Sequence, residues 1–181
     1  MSKIRKHGGE TGVKQHVVSA LVENRAGTLS RVSGLFSRRG FNIDSLTVGE
    51  TVDASVSRMT IAVTGEERVL EQIIKQLEKL VDVITVRELD SSCLRREIML
   101  VKIGADEKNR PAVLEIAGIF RARVVDVSQS TITVEATGNM EKLNGLVLLL
   151  RPYGILELAR TGLVSLERGD KYMRPDRDAG E

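Results

Sequence analysis

Residues 16–39 read HVVSALVENRAGTLSRVSGLFSRR, one complete strand–turn–helix unit. Residues 16–23 are mostly apolar and β-branched, short, and bounded by the turn cluster NRAG at 24–27. That combination predicts a buried strand. From 28 to 39, Leu29, Val32, Leu35 and Phe36 recur at the spacing of one helical face, and Gly40 stands where a helix is capped. Residues 43–50 and 57–64 predict two strands joined by the polar stretch TVDAS. In the second of them Met59, Ile61 and Val63 alternate with Arg58, Thr60 and Ala62, as in a half-buried strand. Gly65 breaks the pattern. Residues 66–80 carry a helical stripe of Leu70, Ile73, Ile74, Leu77 and Leu80, with Glu66 and Glu67 at the positive end of the helix dipole. Residues 83–89 predict a closing strand. The order β-α-β-β-α-β is the ferredoxin-like one.

The second half repeats this order. Residues 96–103 predict a strand. Residues 109–120 predict a helix with Pro111 near its start and Val113, Ile116, Ala117 and Phe120 inward. Strands follow at 124–128 and 131–136, a helix at 140–150 and a last strand at 155–160. Gly34-Leu35-Phe36 with Arg38 has a counterpart in Gly118-Ile119-Phe120 with Arg121. The predicted fold class is α+β: two ferredoxin-like (βαββαβ) domains, at residues 16–90 and 95–170, parted by the polar break DSSCL. Residues 1–15 are expected to be a flexible lead-in and residues 171–181 a flexible tail.

The chain has 181 residues, 27 Lys+Arg against 25 Asp+Glu, 41% hydrophobic and 29% charged residues. That is the composition of a globular protein. The longest purely apolar run, LVLLL at 146–150, falls far short of the roughly 20 residues a bilayer span needs. The basic N-terminus is not followed by a stretch that would make a signal peptide. The lone Cys93 can form no internal disulfide and no zinc site. These features predict a cytoplasmic protein with no membrane partner.

The chemistry on offer is sparse. There are two histidines. His7 lies in the lead-in, and His16 starts a strand, where a structural role is expected. Neither a Ser-His-Asp nor a Cys-His set can be assembled. No GxxxxGK[ST] or GxGxxG occurs. Glu66, Glu67 and Glu71 are explained by their place at a helix start. No catalytic residue and no metal ligand is predicted, and no cofactor is expected on this chain. The ferredoxin-like order is also that of RNA-binding domains that stack bases on strand aromatics. Residues 57–64 contain no aromatic, and the basic residues are matched by acids, so no nucleic-acid partner is expected.

One constellation remains. Asn24-Arg25-Ala26-Gly27 joins the first strand to the first helix, and Phe41-Asn42-Ile43 joins that helix to the second strand. A strand-to-helix turn presents backbone N–H groups at a helix N-terminus, which suits a carboxylate. Gly27 has no Cβ, so a ligand can approach the backbone closely. Asn24 and Asn42 each carry an amide that both donates and accepts, which matches a zwitterion. Leu29 and Ile43 can supply an apolar wall. The competing reading makes Gly27 and Asn42 turn residues and Leu29 core.

The string VENRAGTLSRVSGLFSRRGFNIDSLTVGET, followed by SRMTIAVTG, EQIIKQLEKLVDVITV and REIMLVKI, closely resembles the regulatory (small) subunits of acetolactate synthase, also called acetohydroxyacid synthase. The resemblance covers residues 16–171 and continues through EIAGIFRARVVDVS and ARTGLVSLERGDK. It implies an N-terminal ACT domain, a ferredoxin-like module that binds amino acids, and a second ferredoxin-like domain. It implies a catalytic large subunit as partner, carrying thiamine diphosphate, Mg²⁺ and FAD, that condenses two pyruvates, or pyruvate with 2-oxobutyrate. The small subunit is expected to activate that enzyme and confer feedback inhibition by valine or a related branched-chain amino acid.

By the same resemblance the effector site falls on Asn24, Gly27 and Leu29, with Asn42 and Ile43 on the far side. In ACT dimers the site lies between two domains, so Asn42 is expected from the other protomer of a homodimer. The second domain has DEKNRP at the equivalent turn, without glycine, and no second site is expected there. The alternative is a freestanding ACT-type sensor acting on another enzyme or on transcription. An acylphosphatase-like enzyme would need a phosphate cradle around Arg25, and the surrounding glycines are missing.

Overall fold

The structure, a computed structural model, describes residues 13–175. The lead-in up to residue 12 and the tail from 176 lie outside the described residues. The chain divides into two compact units. The first is built from β1 (Lys14–Glu23), α1 (Thr28–Arg39), β2 (Ser45–Glu50), β3 (Val56–Gly65), α2 (Glu67–Leu77) and β4 (Val83–Leu89), although Ser45–Val48 of β2 group with the second unit. Its strands lie in the order β2-β3-β1-β4. The central strand β1 runs antiparallel to both β3 and β4. This is the βαββαβ order expected from the sequence.

Apolar residues bury β1 on both faces. Val18 and Ala20 share one face with their partners Ile61 and Met59, and all four are buried. On the other face, Leu21 and Val56 pack with Met173. Met173 belongs to the first unit. Part of the segment expected to be a loose tail is thus pinned: its unbranched thioether packs with residues of three strands, Leu21, Val56 and Ile84.

Helix α1 buries Thr28, Val32, Leu35 and Phe36, spaced i, i+4, i+7 and i+8 as one helical face requires. Leu29 was expected on that face. It is instead 47% exposed, because the glycine turn before the helix sets its phase one residue earlier. The second strand also starts later than expected, at Ser45, which leaves Ile43 in the connection.

The second unit contains β5 (Leu94–Gly104), α3 (Arg110–Ile119), β6 (Arg123–Val127), β7 (Thr131–Gly138), α4 (Met140–Leu150), β8 (Ile155–Arg160) and the short β9 (Val164–Leu166). The path is β6-β7-β5-β8, with β9 added against the start of β5. Met99, Val101 and Ile103 of β5 form a core with Ile132, Val134, Val113, Leu143 and Leu146. Strand β9, three residues long, has too little periodicity to be seen in sequence. No helix among the described residues is long and apolar enough to cross a membrane.

Candidate functional site: the turn before the first helix

Helix α1 begins without a side-chain cap. Gly27 is its N-cap residue, with φ 90 and ψ −16, and its first turn contains no acidic residue. That left-handed conformation is open to glycine and strained for other residues. The Gly27 carbonyl accepts from Arg31 N at 2.9 Å and Thr28 N donates to Arg25 O at 3.3 Å. The N–H groups of Leu29 and Ser30, in the first turn, have no partner inside the helix. They therefore offer an anion two donors and the positive end of the helix dipole.

Asn24 stands beside this turn with its amide orientation fixed. Its Nδ2 donates to Ala54 O at 2.8 Å and to Glu50 Oε1 at 3.1 Å. Both partners are acceptors, so the NH₂ group must face them. Oδ1 is left as the group that can accept from a ligand ammonium. The backbone of Asn24 is held as well, its N donating to Ser55 O at 2.8 Å.

Asn42 and Ile43 lie beyond the other end of α1. Gly40, at φ 67, caps the helix, and the rings of Phe36 and Phe41 meet edge to face with centroids 6.4 Å apart. Asn42 Nδ2 donates to Asp44 Oδ1 at 3.1 Å, and Thr64 Oγ1 donates to Asp44 Oδ2 at 2.7 Å. Asn42 is exposed and Ile43 half-buried. Helix α1 has 12 residues, so at 1.5 Å per residue the two clusters stand about 18 Å apart along it. One chain thus brings Asn24, Gly27 and Leu29 together at one end and Asn42 with Ile43 at the other.

Two further residues shape the first cluster without a sequence signal. Asp82, in the connection between α2 and β4, is buried, and Arg31 clamps it with two bonds: Nε donates to Oδ2, and Nη2 to Oδ1 at 3.0 Å. Arg25 Nε approaches the same carboxylate at 3.7 Å, and Glu23 N donates to Asp82 O at 2.8 Å. The partners are 51 positions apart in sequence, so no local pattern reveals the pair. The hydroxyl of Thr28 is buried and has no hydrogen-bond partner among the described residues.

The equivalent turn in the second unit is built differently. Asp106 Oδ1 accepts from Lys108 N at 2.9 Å and Asn109 N at 3.0 Å. Arg110 Nη2 donates to the carbonyls of Ala105, Ser128 and Gln129. A carboxylate of the chain already occupies the amides before α3.

His16 is buried, with Nδ1 3.0 Å from Glu88 Oε1 and Nε2 3.2 Å from Gly65 O. Its ligand atoms lie within 4.8 Å of those of Glu67 and Glu88, close enough for the three to hold a metal ion. Lys14 Nζ already sits 2.9 Å from Glu67 Oε2. That hydrogen bond holds the Glu67 carboxyl below its ordinary value and the Lys14 ammonium above its own. The chain supplies the counter-charge itself, and the group reads as a tie between β1 and the start of α2.

Comparison with known proteins finds a family match for each unit. Residues 18–85 match the model of the small-subunit-like ACT domain of acetohydroxyacid synthase, and residues 96–169 match that of the small subunit of acetolactate synthase. The chain is 50% identical over 161 residues to the acetolactate synthase small subunit of Mycolicibacterium smegmatis, covering 88% of this chain and 95% of that one. It is 51% identical over 162 residues to the small subunit of acetolactate synthase isozyme 3 of Salmonella typhimurium, covering 88% and 99%. The crystal structure of the small subunit from Thermotoga maritima superposes with a TM-score of 0.82 at 38% identity, covering 87% of this chain and 99% of that one.

Proposed function

Because the chain belongs to the family of acetolactate synthase small subunits, we propose that it regulates a catalytic large subunit by binding a branched-chain amino acid at the Gly27 turn. In this reading the large subunit carries thiamine diphosphate, Mg²⁺ and FAD and performs the condensation. The small subunit raises that activity and lowers it again when valine, or a close relative, accumulates.

The observation that carries the reading is the uncapped start of α1, with Gly27 at φ 90 and no side-chain cap. Free helix amides and a bare glycine accept a carboxylate. The fixed Oδ1 of Asn24 is suited to the ammonium, and the exposed side chain of Leu29 is suited to the aliphatic part. Asn42 and Ile43 close the site from a second copy of the chain. A general amino-acid sensor needs only the first unit. The match over residues 96–169 favours a subunit that also docks on an enzyme.

The test is an acetolactate assay of the large subunit alone, this chain alone, and the two together with and without valine. The chain alone should form no acetolactate with pyruvate, thiamine diphosphate, Mg²⁺ and FAD. The complex should be more active than the large subunit and lose that activity with valine. Turnover by the pure chain, or a complex indifferent to valine, leucine and isoleucine alike, would refute the proposal.

A further inference from the structure

The Arg31 guanidinium is anchored on one side only. Nε and Nη2 hold the buried Asp82 carboxylate. Nη1 makes no hydrogen bond to the described residues and lies at the Gly27 turn: a Cβ built on Gly27 would stand 3.5 Å from it. A ligand carboxylate resting beside the Gly27 Cα therefore falls within hydrogen-bond reach of Nη1. The orphaned hydroxyl of Thr28, 3% exposed, opens the same helix. A buried hydroxyl without a partner is unusual enough to need a reason.

We infer that Arg31 receives the effector's carboxylate through Nη1, with Asp82 as the positioning residue that holds the guanidinium over the turn. The inference rests on the reading that an amino acid binds at Gly27. Asp82 is what makes the arrangement specific. A free arginine on the first turns of a helix would be mobile and opposed by the dipole. A guanidinium gripped along one edge by a buried carboxylate is rigid and neutralised, yet it keeps a pair of N–H donors facing outward. The site then recognises the α-carboxylate by a charge-assisted hydrogen bond in addition to helix amides.

The test is calorimetric titration of the full chain with L-valine and with L-valinamide, which lacks the carboxylate. Wild type, Arg31→Lys and Gly27→Asp are compared. Lysine keeps a cation for Asp82 but loses the planar fork. Arg31→Lys should bind valine at least about tenfold more weakly, the loss expected from one charge-assisted bond, and bind valinamide as wild type does. Equal weakening of valine and valinamide in Arg31→Lys would overturn the inference, because the arginine would then act on the shape of the turn. Wild-type valine binding in Arg31→Lys with binding lost in Gly27→Asp would overturn it while leaving the site in place. Wild-type binding in both variants would remove the site itself.

Discussion

The side-chain nitrogen of Asn24 donates to the carbonyl oxygen of Ala54 at 2.8 Å, and this bond decides what Asn24 can offer a ligand. With its second hydrogen on Glu50, the residue has only its oxygen left. It ties the loop between β2 and β3 to the β1–α1 turn while presenting a single acceptor.

Asn24→Asp therefore does more harm than its size suggests. The aspartate is isosteric but faces Ala54 O and the Glu50 carboxylate with lone pairs. Each lost exposed bond is worth about 1 kcal/mol, and the repulsion adds to it. Asn24→Ala only removes the bonds. Urea unfolding should rank stability as wild type, Asn24→Ala, Asn24→Asp, and both variants should lose response to valine in the reconstituted enzyme. An aspartate variant as stable as wild type would contradict the assigned amide orientation.

Gly27→Asp should abolish inhibition by valine while leaving activation of the large subunit largely intact. The left-handed backbone strains any L residue there, by roughly 1–2 kcal/mol. Around the new Cβ the nearest atoms belong to Arg31 at ordinary contact distance, so there is room for the side chain. Its carboxylate would cover the helix amides and Nη1 of Arg31, the position a ligand's carboxylate would otherwise take. The check is a valine titration of acetolactate synthesis. Wild-type inhibition in this variant would place the effector elsewhere.

The pattern of the first helix shows where sequence reading succeeds and where it stops. The strand–turn–helix order and the buried positions Val32, Leu35 and Phe36 follow from local periodicity and were legible. The phase at the helix start was not, because Thr28 and Leu29 are adjacent and both fit a stripe. The geometry of Gly27 decides between them. The turn residues Asn24 and Gly27 could be placed at the helix start by type, but type alone fits a plain turn equally well, and only the family resemblance set them apart. Arg31 with Asp82, and Met173 with Leu21 and Val56, could not: such pairs are made by the fold and leave no trace in local spacing.

Asp82→Asn should lower stability by about 1–3 kcal/mol, the range for losing a charged hydrogen-bond partner. The buried oxygen stays, but the guanidinium loses its counter-charge and its bidentate grip. Arg31 is half exposed, so water solvates it once released, which keeps the loss below that of a fully buried pair. Denaturant midpoints measure the stability term. Valine affinity of the folded variant should fall as well, because the freed guanidinium no longer stays over Gly27. A variant with unchanged stability would show that the clamp contributes nothing to holding the turn.

The 12-residue length of α1 makes a sharp prediction about assembly. If Asn24 and Gly27 act with Asn42 and Ile43, the two clusters must come from different chains, since one helix keeps them about 18 Å apart. Sedimentation should show a dimer or larger assembly at micromolar concentration; open sheet edges favour such pairing. Gly27→Asp and Asn42→Ala should each remove or weaken valine binding in homodimers. A mixed dimer of the two variants carries one site with both substitutions and one with neither. Its unaltered site should bind valine with wild-type affinity at half the wild-type stoichiometry. A site contained within one chain predicts the reverse, with every site damaged and no recovery. Calorimetry on differently tagged, co-expressed and doubly purified mixed dimers separates the two outcomes, and absence of the half-stoichiometric tight site would exclude a composite site.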